Sequence, residues 1–252
     1  MKLDHLLEHE IQEALNNITV SWDDYLIEGA DDIKLSYTSK LPKTIPSWDL
    51  RAGATCPGSK CPTSGEIKPS CLSCYAKRGK FNFPPAKNLR EFNRKDWKRK
   101  DWIDDMVDLL GDVGKFRWFS SGDVYHPALA EKIYKVMKRT SHVTHWFPTM
   151  SHSIPKLATW VDKMDKLKNV TVRRSAGKID GTFADTDGST IVDKKTAEKW
   201  VKSGVPKGIT LCPAGTTEGG EVPSKGKKAK GKCERCRACF DKKTKMIAYI
   251  KH

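Results

Sequence analysis

Eight cysteines in two groups constrain this chain more than any other feature. Four fall between residues 41 and 79, a stretch with five prolines, and these are Cys56, Cys61, Cys71 and Cys74. The other four lie near the carboxy terminus, where Cys212 precedes a proline and three more follow a C-x2-C-x2-C spacing, at Cys233, Cys236 and Cys239. The first residues lack the basic and apolar stretches of a signal peptide, so we expect a cytoplasmic protein with reduced thiols. Reduced thiols at such spacings serve metal binding or catalysis.

The carboxy-terminal cysteines give the strongest chemical signal. Three cysteines with two-residue gaps and a remote Cys-Pro are typical of the ligands of a 4Fe-4S iron-sulfur cluster. The same four thiolates can bind zinc, so the sequence leaves the metal open. The amino-terminal group has three interpretations: a second metal site, ligands shared with the carboxy-terminal group, or buried cysteines without a metal.

Charge is distributed unevenly along the chain. Residues 1–32 contain nine acidic residues and one lysine, so the other 220 residues carry +23, although the whole chain carries +15. A body this basic predicts a polyanionic partner, because cationic side chains that neutralise phosphates release counterions. We expect DNA as the partner, contacted by Lys225, Lys227, Lys228, Lys230, Lys232, Arg235, Arg237, Arg173 and Arg174. No apolar run approaches the roughly 18 residues needed to cross a bilayer, so we expect no membrane partner.

Hydrophobic patterns predict strands that alternate with helices. Strand patterns occur at residues 116–119, 143–148, 170–174 and 209–211, and helical patterns at 86–110, 127–139, 154–167 and 196–203. This alternation predicts an α/β protein with a parallel sheet, as a complete or partial barrel or as an open doubly wound fold. We expect a TIM-barrel-like, metal-binding domain over residues 34–252, preceded by an acidic amphipathic helix in residues 1–33.

Polar residues stand where the first aromatic strand ends. Asp123 follows a Ser-Ser-Gly turn, and His126 lies three residues later. Active sites of parallel sheets lie at the carboxyl ends of strands, and burial tunes carboxylates and imidazoles for nucleophilic or acid-base work. The competing interpretation is that Asp123 only caps the helix that begins near Pro127. We take Asp123 and His126 as candidate catalytic residues.

The order of these motifs resembles the phage gene product 88 family. The resemblance rests on Cys71-Leu-Ser-Cys-Tyr-Ala-Lys-Arg-Gly-Lys-Phe, Phe116-Arg-Trp-Phe-Ser-Ser-Gly-Asp, Cys212-Pro and Cys233-Glu-Arg-Cys-Arg-Ala-Cys-Phe. It extends from about Lys34 to His252. It implies a phage origin, hence a location in the host cytoplasm, and a barrel-like α/β fold with bound metal. It names no reaction.

Three hypotheses for the function follow. The chain resembles a compact guanine transglycosylase, which would exchange guanine in DNA for a 7-deazaguanine base, with Asp123 as nucleophile and His126 as proton carrier. The pair Cys71 and Cys74, followed by Ser-Gly-Asp, also resembles the cluster loop and adenosylmethionine-binding strand of radical enzymes, with Cys61 as the expected third ligand. The third hypothesis is a noncatalytic DNA-binding metalloprotein. Base exchange is the function that we expect.

Overall fold

A computed structural model describes residues 33–38, 41–185, 187–217, 220–224, 233 and 236–251. The acidic helix predicted for residues 1–33 lies outside this part of the chain except for Ile33, which is buried in the core. The lysine-rich segment 225–232 also lies outside it. No helix within these ranges is long and apolar enough to cross a membrane.

The first sheet consists of four parallel strands: β1 (Ser47–Trp48), β2 (Lys115–Trp118), β3 (Thr144–Thr149) and β4 (Val170–Arg174). Their order across the sheet is β1-β2-β3-β4. Side chains alternate between the two faces of a strand. Phe116 and Trp118 are therefore buried together on one face of β2, whereas Arg117 lines a cavity on the other.

Three further parallel strands form a second sheet: β5 (Gly188–Val192), β6 (Ile209–Leu211) and β7 (Met246–Ile250). Their order is β5-β7-β6, and a parallel bridge between Ser175 and Ser189 connects the end of β4 to β5. The strands thus form one continuous run, which does not close into a ring within the described residues. The α/β class with parallel strands is confirmed, and a complete TIM barrel is not.

The described residues include six α-helices: α1 (Pro69–Leu72), α2 (Pro84–Asp96), α3 (Trp102–Leu109), α4 (Pro127–Arg139), α5 (Pro155–Asp165) and α6 (Lys194–Ser203). Four of them, α1, α2, α4 and α5, begin with proline. Proline suits this position because its φ is already helical and the first N–H needs no partner within the helix. These prolines therefore set the points at which the chain turns from loop to helix.

The helix predicted over residues 86–110 is in fact two helices. α2 ends at Asp96, α3 begins at Trp102, and Arg99 is buried in the turn between them. The Arg99 guanidinium pairs with Asp96 at 2.6 Å, with Asp101 at 2.7 Å and also with Asp105. Gathering three carboxylates around one arginine requires the chain to turn here, so the helical pattern is interrupted.

An aromatic core fills the space between the first sheet and its helices. Trp48, Trp102 and Trp118 are fully buried, and Trp48 packs edge to face against the other two at centroid distances of 5.4 and 6.1 Å. His145 lies in the same core, where Trp118 Nε1 donates to its Nδ1 at 3.2 Å and its Nε2 pairs with the Thr140 hydroxyl at 2.9 Å. Burial lowers the pKa of His145 to about 3, so the ring is neutral. This packing positions β2 and β3, whose carboxyl ends carry the candidate site.

Candidate active site

A cavity of about 400 Å³ lies at the carboxyl ends of the strands. Its walls include the loops that follow β1, β2, β3, β4 and β6. Six of the eight cysteines line it: Cys56, Cys71, Cys74, Cys212, Cys233 and Cys239. The two cysteine groups, which are far apart in the sequence, therefore face one space.

Local contacts hold the amino-terminal cysteines in the cavity wall. Cys56 precedes a 3-10 turn, Pro57–Ser59, and the Gly53 N–H donates to its Sγ at 3.4 Å. Cys71 lies in α1, and its thiol donates to Met150 Sδ at 3.6 Å. This contact joins α1 to the residue that follows β3.

Cys56, Cys71 and Cys74 influence one another electrostatically. Burial, the Asp123 carboxylate and the thiols of Cys71 and Cys74 together raise the pKa of Cys56 to about 12. Burial also raises the pKa of Cys71, and Cys74 adds to this effect. We call Cys56, Cys71 and Cys74 the amino-terminal cysteine set, and the Asp123 carboxylate acts on its member Cys56.

Cys61, the third ligand expected from the sequence, is not part of this set. It does not line the cavity, and its backbone closes a small turn through hydrogen bonds with Gly65 and Glu66. Hydrogen bonds from Thr63 and Ser64 lower the pKa of its thiol to about 6. The structure corrects the expectation: Cys56, not Cys61, accompanies Cys71 and Cys74.

Asp123 is buried at the end of β2 and lines the cavity. Its Oδ1 accepts hydrogen bonds from Val124 N at 2.7 Å and from the Thr149 hydroxyl at 2.8 Å. Its Oδ2 accepts one from Met150 N at 2.8 Å. Burial raises the pKa of Asp123 to about 6 even though these hydrogen bonds favour the charged form. The carboxylate therefore ties β2 to the end of β3 while remaining in contact with the cavity.

His126, the expected proton carrier, is placed differently. Its Nδ1 accepts a hydrogen bond from Ala128 N at 3.1 Å, so His126 caps the helix α4. Its ring lies beside Trp97 at a centroid distance of 6.0 Å and does not line the cavity. The helix cap that we considered for Asp123 is thus provided by His126, and the two residues do not face a common site.

Cys212, Cys233 and Cys239 line the other wall of the cavity, and Cys236 is exposed; we call these four the carboxy-terminal cysteine set. Burial raises the pKa of Cys212 to about 12, and the three other thiols of the set add to this. Cys239 Sγ lies 3.2 Å from the Tyr249 hydroxyl. Burial raises the pKa of Cys239 to about 11, against the opposing effects of Tyr249 and of the Arg117 charge. The other three thiols thus act electrostatically on Cys212, and metal binding by the four cysteines stays a prediction.

Neither set is arranged around a single point. Among the residues that the structure describes, no three His, Cys, Asp or Glu side chains lie close enough to hold one metal ion. One zinc ion requires its four ligands at about 2.0–2.3 Å from a common centre. The cysteines of an iron-sulfur cluster bind different irons, so their sulfurs stand farther apart. Both metals predicted from the sequence, an iron-sulfur cluster and zinc, stay predictions.

Two of the arginines expected to contact nucleic acid are engaged inside the protein. Arg173 is 2% exposed, and its guanidinium donates to main-chain carbonyls in the segment 238–245 at distances of 2.5–3.3 Å. Arg174 pairs with Asp162 at 2.9 Å and with Asp165 at 2.8 Å. The structure therefore gives both arginines a structural role in place of phosphate contact. Arg237 is partly buried, and the remaining expected contacts, Lys225, Lys227, Lys228, Lys230, Lys232 and Arg235, lie outside the described residues.

Sequence reasoning missed Arg117 and Tyr75, which both line the cavity. The Arg117 guanidinium stacks over the Trp146 ring, with Cζ 4.2 Å from the centroid. Its Nη2 donates to the Tyr75 hydroxyl at 3.3 Å, and this hydroxyl donates to Ser120 O at 2.7 Å. A signal was present, because a lone arginine between two buried aromatic residues of a strand has to face the opposite side.

An open run of parallel strands with two cysteine sets facing one cavity defines an α/β protein whose candidate site lies at its strand ends. The chain belongs to the gene product 88 family, whose model matches residues 26–242. The resemblance inferred from the order of the motifs is thereby confirmed, and with it the phage character of the protein. No curated protein and no solved structure matches the chain significantly.

Proposed function

We propose that this protein is an iron-sulfur enzyme of the radical adenosylmethionine type that acts on nucleic acid. One observation carries the proposal: Cys56, Cys71 and Cys74 line a strand-end cavity together with the Ser120–Asp123 turn. Three cysteines leave one iron of a four-iron cluster without a protein ligand. Such a cluster, once reduced by an external electron donor, supplies the electron that cleaves bound adenosylmethionine.

The turn after β2 offers polar groups for the amino-acid part of adenosylmethionine. Ser121 Oγ is buried and has no hydrogen-bond partner within the described ranges, and Ser121 lines the cavity. Among the described residues, Asp123 Oδ2 accepts one hydrogen bond, from Met150 N, so it retains capacity for an ammonium donor. Both groups stand beside the amino-terminal cysteine set, where a ligand of that cluster would lie.

The open arrangement of the strands is compatible with the proposed enzyme function. We propose that the seven strands act as a partial barrel, with the cavity at the carboxyl edge where sites of parallel sheets occur. A partial barrel leaves one side accessible to a large substrate. The charge of +23 on the chain after residue 32 favours nucleic acid, and DNA in particular, as that substrate.

We propose a second cluster at the carboxy-terminal cysteine set. Burial raises the pKa values of Cys212 and Cys239 most clearly, because it removes their thiolates from water. Binding to a metal stabilises the thiolate form and offsets this cost. Zinc is the alternative metal at this set, because four cysteines also satisfy its ligand preference.

Exchange of guanine in DNA for a 7-deazaguanine base is the second candidate function. Its support is the Asp123 carboxylate, which lines the cavity and has a pKa raised to about 6. A nucleophile needs a lone pair directed at the sugar carbon C1′, and Oδ2 is the oxygen of Asp123 with fewer protein hydrogen bonds. The reaction stays a prediction.

Cys56 and Cys61 provide a matched pair of variants for the decisive experiment. The wild type, Cys56→Ser and Cys61→Ser are purified anaerobically, reconstituted with iron and sulfide, and analysed for iron, sulfide, zinc and visible absorption. We expect about eight irons per chain in the wild type and in Cys61→Ser, and about four in Cys56→Ser. With dithionite and adenosylmethionine, the first two proteins should form 5′-deoxyadenosine and Cys56→Ser should not.

Different results would support the other functions. A wild-type protein that contains zinc but no iron would contradict the proposal. Equal losses of iron in Cys56→Ser and Cys61→Ser would also contradict it. Release of labelled guanine from DNA by the wild type but not by Asp123→Asn would support base exchange. If the protein binds DNA but neither cleaves adenosylmethionine nor exchanges guanine, the hypothesis of a noncatalytic DNA-binding metalloprotein would be supported.

A further inference from the structure

The partly buried Arg117 differs from the buried Arg99 and Arg173 in what surrounds its guanidinium. Arg99 pairs with three aspartates, and Arg173 donates to four main-chain carbonyls. The Arg117 guanidinium makes one hydrogen bond within the described residues, to the Tyr75 hydroxyl. Its Nε is buried and has no partner in the same part of the chain.

No carboxylate in the described part of the chain pairs directly with Arg117. Among the described residues it forms no ion pair within 4.0 Å, and the carboxylate whose charge acts on it is that of Asp49. Both Asp49 oxygens accept hydrogen bonds from Ser120, one from its N–H at 2.6 Å and one from its hydroxyl. A guanidinium has five N–H donors, and leaving a charged group incompletely bonded away from bulk water is costly.

The position of Arg117 indicates what would complete its bonding. It lines the cavity between the two cysteine sets, since it bonds to Tyr75, the neighbour of Cys74, and its charge acts on the thiol of Cys239. Stacking over Trp146 fixes the plane of the guanidinium. A fixed planar fork at the wall of a cavity matches the geometry of a phosphate or carboxylate.

We propose that Arg117 binds a phosphate group of a nucleotide substrate inside this cavity. The inference deepens the proposed function, since it places the substrate between the two cysteine sets and adds phosphate recognition to the same site. Phosphate is favoured over carboxylate because the charge of the chain after residue 32 predicts a nucleic-acid partner.

Binding is measured by isothermal titration calorimetry on the anaerobically purified full chain without reductant, and adenosylmethionine is titrated separately as a comparison ligand. The probes are inorganic phosphate and the pair adenosine 5′-monophosphate and adenosine, which differ only in the phosphate. Arg117→Gln removes the charge, and Arg117→Lys keeps the charge but removes the planar fork. Arg139→Gln is the control, because Arg139 is exposed and pairs with Asp104 outside the cavity.

We expect the wild type and Arg139→Gln to bind adenosine 5′-monophosphate more tightly than adenosine. Arg117→Gln should lose about 10-fold or more in affinity for the monophosphate, and Arg117→Lys should show a smaller loss. The affinity for adenosine should be equal in all four proteins. Near-ultraviolet circular dichroism and iron content are recorded for each, and Arg117→Lys carries the test if Arg117→Gln does not fold.

Three outcomes would overturn the proposal. The first is unchanged phosphate affinity in both Arg117 variants. The second is loss of iron with unchanged phosphate affinity, which would make Arg117 a counter-charge for the carboxy-terminal cysteine set. The third is a loss of affinity confined to adenosylmethionine, which would assign Arg117 to the carboxylate of that molecule. Because phosphate binding needs no reductant, the inference can hold even if no 5′-deoxyadenosine is formed.

Discussion

Gly58 is the point at which the loop carrying Cys56 rests against the end of β3. A Cβ at this position would lie 2.3 Å from the carbonyl oxygen of Met150 and 2.6 Å from its carbonyl carbon. Both are main-chain atoms, so they cannot rotate away, and the loop has to retreat by about 1 Å to restore an ordinary contact. We expect Gly58→Ala to destabilise the protein by about 1–3 kcal/mol, the usual cost of overpacking a well-packed contact.

Gly114 is the matched control, since a Cβ there meets nothing within 4 Å and its φ is not in the left-handed region. Gly114→Ala should stabilise the protein by about 0.4–1 kcal/mol, because alanine reduces the freedom of the unfolded chain. Urea unfolding at neutral pH compares the variants with the wild type. With a slope of about 2 kcal/mol per molar urea, the midpoint of Gly58→Ala should fall by about 0.5–1.5 M.

The same variant tests the link between this contact and the site. Cys56 lies two residues before Gly58, so a retreat of the loop moves Cys56 away from Cys71. Gly58→Ala should therefore hold less iron than Gly114→Ala after identical reconstitution. A midpoint and an iron content equal to those of Gly114→Ala would refute the argument that the close contact at Gly58 positions the cysteine.

Three further predictions concern stability. Burial lowers the pKa of His145 to about 3, so its neutral form stabilises the fold above pH 6.5, and this stability is lost as the pH falls. Between pH 6.5 and 5 the wild type should lose about 2 kcal/mol that His145→Gln keeps, measured by urea unfolding. Burial raises the pKa of Asp123 to about 6, so its ionisation opposes folding as the pH rises from 4 to 6. Asp123→Asn should remove a fall of about 2 kcal/mol over that range, and an unchanged pH profile would contradict the burial of the charge. Arg99→Met should cost about 3 kcal/mol because it leaves Asp96 buried without its partner, whereas Arg139→Met, at an exposed pair, should cost less than about 1 kcal/mol. Equal losses of unfolding free energy in these two variants would show that burial does not determine how much an ion pair contributes to stability.

Local patterns sufficed for the regular elements that carry a strong hydrophobic period. The helix α4 occupies residues 127–139 and the strand β4 residues 170–174, as predicted. The strands β1, β5 and β7 were not predicted, since β1 has two residues and β5 is Gly-Ser-Thr-Ile-Val without a clear period. Such segments become strands because parallel neighbours pair with them, and the sequence does not show which neighbours these are.

The candidate site, too, could be predicted from the sequence only in part. Cysteine spacing and the strand-end position of Asp123 were sufficient to name six cysteines and one carboxylate that line the cavity. The choice between Cys56 and Cys61 was decided by a turn that places one thiol in the cavity wall and the other outside it. Spacing along the chain does not contain that information, because a loop of this length can fold in many ways.

The charged residues show most clearly what cannot be predicted from the sequence alone. The sequence alone determined that the protein is basic, that its cysteines fall into two groups, that strands alternate with helices, and that the chain is related to the gene product 88 family. Only the tertiary structure decided that Arg173 is a buried structural residue and that Arg117 faces the cavity. Both arginines lie within strands, and the aromatic residues beside Arg117 indicate which face of its strand it occupies but not that a cavity lies there. Their roles differ because the groups that surround each guanidinium come from parts of the chain far away in sequence, and only folding brings those groups together.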